Sequence, residues 1–98
     1  SVRHSDLLNK KIKKVAVLGG SGSFAIGAAK ALNADVLVTS DLKYHDFFQA
    51  EGTILLADVG HFESERYVKN YIFDYLSKKI PTFAIILSDI KTNPVNYI

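Results

Sequence analysis

The 98-residue chain has no cysteine, no methionine, no tryptophan and only two prolines. Without cysteine there is no disulfide scaffold, cysteine zinc finger, iron–sulfur centre or thiol nucleophile. No apolar run approaches the roughly 20 residues of a membrane span. No signal peptide is visible, so a cytoplasmic location is expected. A translated frame begins with Met and this chain begins with Ser1. A processed chain or one piece of a longer protein is therefore expected, although initiator removal alone would also account for it. Charge of one sign is scarce too. A net charge of +2 gives no argument for nucleic acid as a partner.

What is present is ordinary globular composition, 48% hydrophobic and 22% charged, enough for one small domain. Four of the twelve basic residues are Lys10, Lys11, Lys13 and Lys14. They read either as a phosphate-contacting patch or, more plainly, as a solvated lead-in to a buried strand. Residues 1–13 are thus expected to be a lead-in or linker, with an α/β lobe over 14–98. Within the lead-in, Asp6-Leu7-Leu8 reads as a short helical turn, and His4 as a solvated side chain.

Val15-Ala16-Val17-Leu18, Val36-Leu37-Val38-Thr39, Thr53 to Val59 and Phe83 to Leu87 read as buried strands, since each is a short continuous apolar run. Helices are expected between them. Phe24 to Leu32 is Ala-rich and stops at Asn33, which tolerates a left-handed backbone. A short helix in Asp41 to Gln49 is stopped by Gly52. Phe62 to Lys79 places Val68, Tyr71, Ile72, Tyr75 and Leu76 on one face, at helical spacing. The order β-α-β-α-β-α-β predicts an α/β fold with a mainly parallel sheet and helices on both faces.

Three segments could carry chemistry. Gly20-x-Gly22-x-x-Ala25 follows a strand and opens a helix, with Asp41 about 20 residues on, as in a dinucleotide fingerprint. A tight, closely packed turn would look the same. His61 and Glu65 are four apart at a helix start, so they share a face and could hold one cation. Two ligands do not complete a catalytic metal site, and helix capping is the plainer alternative. Asp41-Leu42-Lys43-Tyr44-His45-Asp46 follows a buried strand and is mostly polar or ionisable. Asp41 and His45 could be acid–base partners or further ligands, or the segment could be a solvated turn.

Together, Val15 to Gly22, the Asp41-x-Lys43-Tyr44-His45 motif and the Gly60-His61-x-x-Ser64-Glu65 motif resemble the C-terminal half of the Nif three-like family. Its members are often labelled GTP cyclohydrolase I type 2 homologues. The resemblance runs from about Lys14 to Ile98. It implies one half of a two-lobed fold, with a two-metal site in the cleft between the halves. His61 and Glu65 would be this half's ligands to two divalent ions (Zn, Fe or Mn). The remaining ligands, a histidine pair and an aspartate, would come from a missing N-terminal half. The resemblance also implies a toroidal hexamer. In that setting Gly20 and Gly22 would shape the cleft floor near a phosphorylated or nucleotide substrate, rather than bind nicotinamide. Lys43 would contact an anion, and His45 and Asp41 would be the catalytic acid–base candidates. The expected function is that of a metal-dependent hydrolase fragment, inactive in isolation. A metal-binding scaffold or chaperone and a dinucleotide-binding module are the alternatives.

Overall fold

In the computed structural model, which describes residues 1–98, the first three apolar runs form neighbouring strands. They are β2 (Val15–Ser21), β3 (Val36–Ser40) and β4 (Leu55–Asp58), and β1 is Arg3–His4. The order across the sheet is β1-β4-β3-β2. β2, β3 and β4 are parallel, with Val15 opposite Val36 and Val36 opposite Leu55. A mixed α/β sheet of four strands results.

The chain divides into two compact units, Ser1–Ser64 and Glu65–Ile98. The first unit holds the whole sheet. Its core is Ile26, Ala29, Ala34, Leu37, Leu42, Ala50, Ile54 and Leu56, with Ala16 and Phe47 packed against it. β3 is the most buried of the strands, as one flanked on both sides should be. Ile26 and Ala29 are the buried positions of α1 (Ile26–Ala31), spaced three apart so that both face the core. A single 3-10 turn, Ser23–Ala25, leads into α1. Asn33 follows it with φ 55°, the left-handed stop expected of an asparagine. Tyr44–Ala50 is a 3-10 helix rather than an α-helix, and its chain leaves through left-handed Glu51 and Gly52. β4 starts later than the apolar run does. Thr53 and Ile54 turn their N–H groups back to the Ala50 carbonyl, so they are not free for the ladder.

Three features depart from the sequence expectations. The fourth strand is not Phe83–Leu87. That run makes no ladder and Ile86 is 90% exposed. The open edge of β4 is taken instead by β1, antiparallel, with Arg3 opposite Asp58. A short apolar run does not by itself make a strand, because a strand needs ladder partners for its backbone groups. Secondly, the lead-in therefore contributes to the sheet, and Asp6-Leu7-Leu8 forms no helical turn. Its lysines serve local structure: Lys10 pairs with Asp35 at 2.7 Å, and Lys14 donates to the Leu32 carbonyl at 2.8 Å. Thirdly, the long helix is two helices, α2 (His61–Glu65) and α3 (Val68–Lys79). Tyr67, with φ −93° and ψ −1°, lies in the bridge region and interrupts the helical backbone.

In the second unit α3 carries Lys78 and Lys79 in its last turn, as its dipole favours, and ends before Pro81. None of its residues is buried. No helix in the chain is long and apolar enough to cross a membrane.

Candidate functional site at the carboxyl ends of the parallel strands

Because β2, β3 and β4 run parallel and adjacent, their carboxyl ends lie at one edge of the sheet. Ser21 closes β2, Asp41 follows β3, and Gly60-His61 follows β4. Open α/β sheets bind ligands at this edge. The Asp41 carboxylate accepts hydrogen bonds from the Ser21 hydroxyl and from His61 Nδ1, the latter at 2.6 Å. Those two bonds, the serine's first, hold the Asp41 carboxyl below its ordinary range, against an opposing push from burial. Asp41 has φ 57°, a left-handed backbone that few residues other than glycine tolerate. Both Asp41 and His61 are half-exposed.

A buried carboxylate supports the two loops that carry this pair. Asp58, 4% exposed, is ion-paired with Arg3, whose guanidinium also donates to the Leu42 carbonyl at 2.8 Å. Asp58 further accepts the Leu42 N–H and the Gly60 N–H, both at 3.0 Å. One side chain thus anchors the loop after β3 and the loop after β4. Gly60 has φ 92°, which a side chain would strain, and the chain then enters α2 at His61.

Ser64 ties α2 to the glycine loop. Its Oγ accepts the Gly20 N–H at 2.9 Å and donates to the His61 carbonyl at 2.8 Å. The glycines have local reasons for being glycine. Gly20 has φ 71°, within the irregular part of the β2–β3 register. A Cβ on Gly22 would lie 1.9 Å from Thr39 Oγ1, so the loop packs directly on β3.

The sequence-derived candidates are distributed as follows. Asp41 and His61 are in contact. Gly20 joins them through Ser64. Glu65 is the last residue of α2, one turn beyond His61. His45 is not hydrogen-bonded to Asp41, and the expected acid–base pairing of those two is replaced by Asp41 with His61. His45 instead lies edge-on to Tyr44, with ring centroids 5.3 Å apart. The Lys43 backbone N–H donates to the Asp46 carboxylate at 2.8 Å, which caps the following 3-10 helix. Ser21, Ser64, Arg3 and Asp58 were not singled out as a network from sequence. Ser21 and Ser64 belong to the recognised motifs, but nothing local says what their hydroxyls touch.

Residues 1–94 match the Duf34/NIF3 (NGG1p interacting factor 3) family. The chain belongs to this family. A Staphylococcus epidermidis relative named GTP cyclohydrolase 1 type 2 homolog is 37% identical over 99% of the chain, which covers 28% of that relative. A Campylobacter jejuni relative of the same name is 38% identical over 98% of the chain, which covers 38% of it. The crystal structure of a Staphylococcus aureus protein superposes with a TM-score of 0.86 at 37% identity. It covers the whole chain, and the chain covers 29% of it. A Bacillus cereus protein related to NIF3 gives 0.76 at 31% identity, with 28% of its length covered. The chain therefore spans roughly a third of the length of the relatives it matches.

Proposed function

We propose that these residues form the C-terminal part of a divalent-metal-dependent hydrolase whose two-metal site is completed by protein outside this sequence. The observation that carries the reading is the His61 ring at the carboxyl edge of the sheet, with Nδ1 held by a carboxylate. Metal-binding histidines are typically held in this way. The donors fit part of such a site: an imidazole at His61 and a carboxylate at Glu65, at opposite ends of one short helix. No group of three or more His, Asp or Glu residues able to hold a metal occurs in the chain. The remaining donors are accordingly assigned to a larger protein. The name carried by the curated relatives, and the part-length match to them, support that assignment.

The bound ions would supply an activated water and polarise the bond under attack. His61 and Glu65 bind, and Asp41 holds the imidazole in place. Lys43 is assigned to an anionic substrate group and His45 to proton transfer. Gly20 and Gly22 form the closely packed floor. The substrate class is a phosphorylated nucleotide, with the imidazole ring of a purine such as that of GTP as the reacting part. The exposed apolar stripe of α3, with Val68, Tyr71, Ile72 and Tyr75, supports a chain covered by further protein, as a larger lobe and a hexameric ring would provide.

Metal analysis of the full-length protein tests the reading. Two ions per chain are expected, falling in His61→Ala. Unchanged stoichiometry would remove His61 as a ligand. GTP turnover that survives stripping of both ions would remove the hydrolase mechanism, and full metal content without turnover would favour a scaffold or chaperone.

A further inference from the structure

The contact between Asp41 and His61 fixes more than the position of a ring. A carboxylate has no proton to give, so the shared hydrogen must sit on Nδ1 of His61. In a neutral imidazole the only remaining lone pair is then on Nε2. The carboxylate is itself fixed. The Ser21 hydroxyl donates to the same Asp41 oxygen that receives the His61 proton. Asp41 also occupies a left-handed backbone position, φ 57°, which the surrounding structure must hold. Three strand ends are needed to build this arrangement, since Ser21 closes β2, Asp41 follows β3 and His61 opens α2 shortly after β4.

We propose that Asp41 is a positioning residue rather than the acid–base catalyst expected from sequence: with Ser21 behind it, it locks His61 in the Nδ1–H tautomer so that Nε2 binds the cation. The inference rests on the reading of His61 as a metal ligand and adds a residue that does not itself touch the metal. Losing such a carboxylate typically costs 10- to 100-fold in metal affinity.

The test uses the full-length protein and two variants suited to a left-handed backbone, Asp41→Gly and Asp41→Asn, with Ser21→Ala as a milder third. In the metal-free protein at a pH where histidine is neutral, two-bond proton–nitrogen NMR reads the tautomer of His61 directly. The Nδ1–H form is expected in the wild type, and a shift toward Nε2–H in Asp41→Gly. Zinc affinity, read by competition with a chelating indicator, is expected to fall 10- to 100-fold in Asp41→Gly and less in Ser21→Ala. An unchanged tautomer in Asp41→Gly overturns the positioning role. A shifted tautomer with unchanged zinc affinity overturns its importance for the cation. Full zinc binding in His61→Ala sinks the ligand reading instead, and the tautomer measurement keeps these failures apart. Should Asp41→Gly fail to fold, Asp41→Asn and Ser21→Ala carry the same two measurements.

Discussion

At the scale of single residues, carboxylates organise this molecule. Asp58 is buried and satisfied by a guanidinium and two backbone N–H groups. Asp41 holds His61. Asp35 gathers the lead-in: the Lys10 ammonium reaches one oxygen, and the Lys13 and Lys14 N–H groups reach the other, each at 2.8 Å. The Lys10 contact first, then those two N–H groups, hold the Asp35 carboxyl well below its ordinary value of 3.8. A lowered folded-state value means stability that is present above the unfolded value and lost as pH falls through the folded one. The thermal midpoint is therefore expected to drop as pH falls below about 4, and to drop less in Asp35→Asn. The difference will be small, because Asp35 is only partly covered and its partner Lys10 is half-exposed, so solvent screens the pair. Equal acid sensitivity of the two proteins in a pH series would refute this role. Gly22 shows the same scale from the packing side. Its missing side chain is what lets the loop lie on Thr39, so close packing suffices to explain a glycine that also matches a nucleotide fingerprint.

At the scale of elements, hydrophobic continuity made β2, β3 and β4 legible. Each begins as a continuous apolar run, the composition of a strand covered on both faces, but β2 is covered on one face only, with Val15 and Val17 exposed against the burial expected of them. β1 was not legible, because two polar residues carry no periodicity. It exists through Arg3, which reaches Asp58 and the Leu42 carbonyl, and through Ser5, whose Oγ accepts the Leu56 N–H at 2.9 Å. Arg3→Ala should therefore release β1 and leave a buried carboxylate short of its cation. A loss of about 1–3 kcal/mol is expected, measured by urea unfolding. Arg3→Lys should recover much of it, since both bonds leave one terminal nitrogen, Nη2, and an ammonium can also donate to two acceptors. Full stability in Arg3→Ala would mean that β1 is held by its ladder alone. Phe83–Leu87 is the converse case, a strand-like run that joins no ladder. The interruption at Tyr67 was hidden for a related reason: the apolar spacing continues through it, and periodicity reports faces rather than backbone breaks.

At the scale of the molecule, the fold of the first unit is self-consistent and the site is not. The sheet buries a continuous core, yet the chain spans 28% to 38% of the relatives it matches. His61 and Glu65 alone fall short of the three protein ligands usual for a catalytic metal. The 98 residues alone are expected to bind zinc weakly and to show no GTP turnover, by titration and by product assay. Tight one-to-one binding by these residues would contradict a shared site.

The sequence by itself determined the apolar strands, the stop at Asn33, the Duf34/NIF3 motifs and which side chains could do chemistry. Those depend on neighbours along the chain, where periodicity, caps and residue types act within a few positions. Tertiary structure alone decided that Asp41 meets His61 rather than His45, that Ser21 stands behind it, and that Arg3–His4 rather than Phe83–Leu87 supplies the fourth strand. Each of these joins residues distant in sequence, and only parallel strands lying side by side bring their ends together. The absences met first bear on the same point. Without cysteine, the side chains of this stretch that could serve as metal donors are imidazole and carboxylate, and the fold fixes the orientation of one imidazole, His61.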